Sequence, residues 1–142
     1  MGRALETPSR KAQEAQDIDT LNELLMWELR AMTFIEDASR LADDHAHELA
    51  QLHLSHGRRV NMLKSRIIMM GGVPVFASRT RPQVVGGPSK LRALLDVCSQ
   101  GLDYEARIAE LSPLVASFVR TNILPEYRRA RREATTLLNS ID

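Results

Sequence analysis

Residues 20–42, TLNELLMWELRAMTFIEDASRLA, decide the fold. Leu21, Leu24, Leu25, Glu28, Met32, Ile35 and Ala38 recur at steps of three and four, the spacing of one helix face. Thr20 followed by Glu23 has the form of a capping box, which predicts a helix start there and a helix over about 19–42. A carboxylate stands in the middle of this apolar stripe. Charged side chains are rarely buried without a partner, so Glu28 calls for a cation or a set of hydrogen-bond donors.

Working outward, ADDHAH (42–47) interrupts the stripe and a second begins: Leu49, His53, His56, Val60, Leu63, Ile67 and Met70. It predicts a second helix over about 45–70, ended by GGVP (71–74), with Gly71 or Gly72 closing the last turn and Pro74 beyond it. Residues 19–70 therefore read as an antiparallel helical hairpin. VPVFASRTRPQVVGGPSK (73–90) has no helical period, and the expectation is a long crossover loop over about 71–88. A third helix is expected over 89–111 from Leu91, Leu94, Leu95, Cys98, Leu102, Glu105 and Ile108. In LSPL (111–114), Ser112 is the expected N-cap and Pro113 the first helical residue of a fourth helix over 113–140, kinked or split at Pro125. The whole is an all-α chain: two helical hairpins forming a four-helix bundle over 18–142, after a polar, flexible tail over 1–17.

Composition narrows the function. The 142 residues suit one domain, and a formal net charge of +1 gives no reason to expect nucleic acid or an anionic membrane surface as partner. No apolar run approaches a membrane span, and the opening MGRALETPSRKAQEAQD lacks the apolar core of a secretory signal. Cys98 is the single cysteine, so no intrachain disulfide is expected, and the expected address is the cytoplasm. The run EYRRARRE (126–133) reads as a solvated face with intrahelical pairs rather than a phosphate contact. Trp27, Phe34 and the methionine-rich stripes suggest self-association into a homodimer or larger closed oligomer, or a protein partner in a larger assembly.

The opening TLNELLMWELRAM, the helix ending IIMMGGVP (67–74) and the closing LPEYRRARREATTLL (124–138) resemble bacterioferritins and small ferritin-like proteins over roughly residues 18–140. The resemblance implies a ferritin-like bundle with a dinuclear iron site and Fe(II) oxidation of the ferroxidase type. By it, Glu28 matches the first-helix ligand and Glu105 the bridging ligand of the third helix. The Glu-x-x-His motifs of the other two helices fall on His56-x-x-Arg59 and Glu126-x-x-Arg129. Arginine keeps its proton and cannot ligate iron, but it can pair with a buried carboxylate. The haem-binding methionine of the family falls on Gly57, so no haem is expected. Two readings follow. In one, iron binds at a reduced set of Glu28, His53, His56, Glu105 and Glu126. In the other, Arg59 or Arg129 supplies the countercharge and the bundle is a non-catalytic assembly or interaction protein. Outside the resemblance, His53 and His56 also read as neutral core histidines bonded to a glutamate or to backbone.

Overall fold

A computed structural model describes residues 9–76 and 88–141. Among the described residues the chain is helical and has no strand. The elements are α1 (Arg10–Ser39), a short 3-10 turn (Asp43–His45), α2 (Ala46–Met69), α3 (Pro88–Gln100), α4 (Tyr104–Ile108), α5 (Pro113–Asn122) and α6 (Leu124–Asn139). Helix α1 packs along α2 and against α3, while α6 packs on α3, α2 and α5. No helix among the described residues is long and apolar enough to cross a membrane.

Helix α1 starts about nine residues before the expected position. Ser9 is the N-cap, its side chain accepting from Ala12 N at 3.1 Å, and Thr20 lies buried inside the helix rather than capping it. The expected tail over 1–17 is thus helical from residue 10; residues 1–8 lie outside the described residues. A tertiary contact accounts for the extension. Asp17 is buried and accepts from the backbone N–H of Ser112 at 3.0 Å and from its hydroxyl at 2.7 Å. A carboxylate there sits where the first turn of α5 leaves N–H groups unmade and where the helix dipole favours negative charge.

Helix α2 falls within a residue of expectation at each end. Gly71, at φ +84°, closes it: Gly72 N–H reaches Ile67 O and Gly71 N–H reaches Ile68 O, both at 2.9 Å, a Schellman ending. The chain then runs past α1, where Asn22 donates to Val73 O and accepts from Val75 N. The expected crossover loop continues into residues 77–87, which lie outside the described residues.

The second half departs more. The helix expected over 89–111 is two, α3 and α4, separated by Gly101–Asp103. Gly101 takes φ +65°, and a Cβ built there would stand 2.1 Å from the Tyr127 hydroxyl. That hydroxyl donates to Leu102 O at 2.6 Å and accepts from Leu102 N at 2.5 Å, satisfying both backbone groups at the break. Asp103 then caps α4 by accepting from Ala106 N at 3.0 Å. The fourth helix is split at Ile123, with Pro125 in the first turn of α6, as its fixed φ and missing N–H favour.

Two apolar clusters form the core. In one, Leu21, Leu24 and Leu25 meet Val60, Leu63 and Ile67 under α4 and α5. In the other, Phe34, Ile35 and Ala38 meet Leu49 and Leu52 under α3 and α6. Phe34 is therefore a core residue, only 4% exposed, and not the surface contact suggested for self-association; Trp27 is half-buried against the first cluster. Along α1 and α2 a buried polar group, Glu28 with Ser55, His56 and Arg59, separates the two clusters.

Candidate functional site: a buried carboxylate held by protein donors

Glu28 is 0% exposed, as is Arg59. The guanidinium Nε of Arg59 donates to Glu28 Oε1 at 2.9 Å. His56 Nδ1 stands 2.6 Å from the same oxygen. The hydroxyl of Tyr104, on α4, donates to Glu28 Oε2. Arg59 is anchored in turn, its Nη1 donating to Ser55 Oγ at 2.6 Å, while its Nη2 lies 2.9 Å from His56 Nδ1. That ring nitrogen has a carboxylate on one side, which only accepts, and a guanidinium on the other, which only donates. Because the carboxylate can only accept, the contact with Glu28 is a hydrogen bond donated by Nδ1, and the Arg59 Nη2 contact is then close packing rather than a second bond.

Spacing explains why these groups meet. Ser55 and Arg59 are four apart on α2 and His56 and Arg59 three apart, so all three share one face. Tyr104 arrives by the break at Gly101–Asp103. It stacks on Tyr127 with ring centroids 3.8 Å apart, and the Arg59 guanidinium lies 5.9 Å from the Tyr127 ring centre.

Burial alone would raise the Glu28 pKa, but the His56 hydrogen bond and charge, the Arg59 charge and the Tyr104 hydrogen bond outweigh it, and the net shift is below the ordinary value. The carboxylate stays ionised. Burial, reinforced by the Glu28 charge, holds the Tyr104 phenol well above its usual range. The same two causes push the Cys98 thiol up to about 12, which makes it an inert core group. Burial chiefly raises Tyr127 to about 12 as well, so it stays a neutral phenol holding Leu102.

The other candidate residues lie elsewhere. Glu105 does not approach Glu28: its side chain is 56% exposed and pairs with Arg128 at 2.5 Å. Arg129 is a surface residue paired with Glu133 at 3.2 Å, so it supplies no countercharge to the interior. Glu126 is half-buried, 3.4 Å from Arg58. His53 is likewise half-buried, with Nε2 3.0 Å from Glu36, and does not reach the buried cluster. Glu126, Arg129, Ser55 and His47 line a groove of about 860 Å³ between α2 and α6. Of the five candidate ligands, only Glu28 and His56 come together.

The donor set does not fit a pair of iron ions. Both Glu28 oxygens already accept from protein groups, and the guanidinium beside them has no lone pair to offer a metal. Among the described residues, no three His, Cys, Asp or Glu side chains are grouped so as to hold a metal ion.

Sequence reasoning missed Tyr104, Ser55 and Asp17. A signal for Tyr104 was present: Gly101 followed by Asp103 has the form of a helix stop and a new N-cap. Comparison with known proteins adds no relative: the chain matches no protein-family model, no curated protein and no solved structure.

Proposed function

We propose that this chain is a ferritin-like four-helix bundle whose di-iron position has been replaced by a salt bridge, and that it acts as a non-catalytic assembly or interaction protein. One observation carries the reading: Arg59 Nε lies 2.9 Å from Glu28, with both groups fully buried. The carboxylate that would hold a metal is matched by a cation that cannot leave by losing a proton. Tyr104 occupies the inward place that the ferritin-like pattern gives to Glu105. Self-association, as a dimer or larger closed oligomer, belongs to the same reading. The large exposed apolar residues Ile68, Met69, Phe76 and Leu114 support it. A cytoplasmic address accords with the lone buried thiol of Cys98.

The test is anaerobic Fe(II) titration with metal analysis, followed by admission of oxygen. The expected outcome is no stoichiometric iron and oxidation no faster than in buffer, for the wild type and for Glu28→Gln alike. Two irons per chain in the wild type, lost in Glu28→Gln, would overturn the proposal and favour a ferroxidase.

A further inference from the structure

The outer face of α1 carries two donors that the fold leaves unused. Trp27 Nε1 and Arg30 Nε are both buried without a hydrogen-bond partner among the described residues. Buried N–H groups are nearly always paired, so two together call for an explanation. Among the described residues Arg30 also has no ion pair, whereas Glu23, Glu28, Glu36 and Asp37 on the same helix each have one. Trp27 and Arg30 are three residues apart and so neighbours on the helix surface.

Both line one pocket of about 370 Å³, together with Met26, Val75 and Leu102. The Val75 wall is fixed, because Asn22 bonds the backbone at Val73 and Val75. Glu23 lies in the lining but is matched by Arg107, whose Nε stands 2.6 Å away, close enough for an ion pair though misaligned for a hydrogen bond. Asp19, the remaining acid of the lining, lies eleven residues before Arg30, about 16 Å along a helix. The Arg30 end is thus cationic and rich in donors, with an apolar wall beside it.

We propose that this pocket binds a small monocarboxylate with an apolar tail. The carboxylate accepts from Trp27 Nε1 and from the Arg30 guanidinium, and the tail lies against Met26, Val75 and Leu102. A charged acceptor fits better than a neutral one because, among the described residues, Arg30 lacks a counterion as well as a hydrogen bond. At about 30 Å³ for each water-sized group, the volume admits on the order of ten heavy atoms. These donors are not those of the Glu28 cluster, so the proposal stands independently of the proposed function.

Trp27 is the only tryptophan in the chain and reports directly on the site. The experiment titrates the full chain with octanoate while following tryptophan emission, with octanol and acetate in parallel. Saturable binding of octanoate is expected, with octanol and acetate at least tenfold weaker. Arg30→Gln should weaken octanoate at least tenfold and Arg30→Lys less, with circular dichroism checking that both variants fold. If octanol binds as well as octanoate, if octanoate never saturates, or if folded Arg30→Gln binds undiminished, the proposal fails.

Discussion

The hairpin of α1 and α2 and the half built from α3 to α6 follow the same rules of helical spacing, yet they differ in how closely spacing foretells structure. In the first, the apolar steps place Leu21, Leu24 and Leu25 against Val60, Leu63 and Ile67, and the carboxylate in the stripe is buried. In the second, the stripe through Cys98, Leu102 and Glu105 looks equally regular but is broken at Gly101. The three residues between α3 and α4 turn Tyr104 inward and leave Glu105 at the surface. Period alone locates a side chain only while the helix continues; each residue adds about 100° of rotation, so a short interruption can turn a later position away, as it does Glu105 while Ile108 stays in the core.

The largest expected effect tests the well-read half. Arg59→Met leaves Glu28 buried without its cation, and loss of one partner of a buried pair costs about 3–5 kcal/mol. Urea unfolding should show that loss, and Glu28→Met/Arg59→Met should recover most of it because neither charge of the pair is left buried. Acid gives an independent check. A carboxyl whose folded pKa lies below its unfolded value contributes stability that is present above the unfolded pKa, near 4.5 for a glutamate. That contribution fades as the pH falls through the lower, folded value. Wild-type stability should therefore fall below about pH 4.5 more steeply than that of Glu28→Gln. Equal slopes would show that the carboxylate is not held as an anion.

Next in size is the break itself. Gly101→Ala forces a side chain into the left-handed region and against the Tyr127 hydroxyl, and should cost roughly 2–4 kcal/mol. Gly71→Ala has a similar φ but open space around the added carbon, and should cost only about 1–2 kcal/mol. Equal penalties would mean that Tyr127 does not define the break. The pair also shows what could be read from sequence. Gly71 ends an apolar stripe and is followed by Pro74, so it announced a stop. Gly101 lies inside a stripe that resumes on both sides, and the tyrosine that holds the break is 26 residues downstream. Its reason is tertiary, and local spacing cannot carry it.

A smaller effect concerns the start of α1, where the first half also departed from expectation. Residues 10–17 were polar enough to read as a tail, yet Asp17 is fixed by Ser112. Asp17→Ala removes the acceptor at the start of α5 and should cost about 1–2 kcal/mol, within the range for lost helix caps. Hydrogen exchange should show faster opening of the first turns of both α1 and α5. Faster exchange in α5 alone would mean that α1 holds its N-terminal extension without this contact.

The smallest expected effect is the sharpest contrast between the halves. Glu28 and Glu105 hold matching places in the sequence stripes, between Leu25 and Met32 and between Leu102 and Ile108. Glu28 has three buried donors, whereas Glu105 has one exposed partner, Arg128. Exposed pairs contribute little, because water screens the charges and two long side chains must be held in place. Glu105→Gln should therefore change stability by no more than about 0.5 kcal/mol, and added salt should leave even that difference near zero. Glu28→Gln, measured alongside, should destabilise clearly, because an amide in place of the anion weakens the charge-assisted bonds from Arg59 and His56. If the two substitutions prove equally costly, Glu105 is buried in solution, and α3 and α4 form the continuous helix that spacing alone predicts.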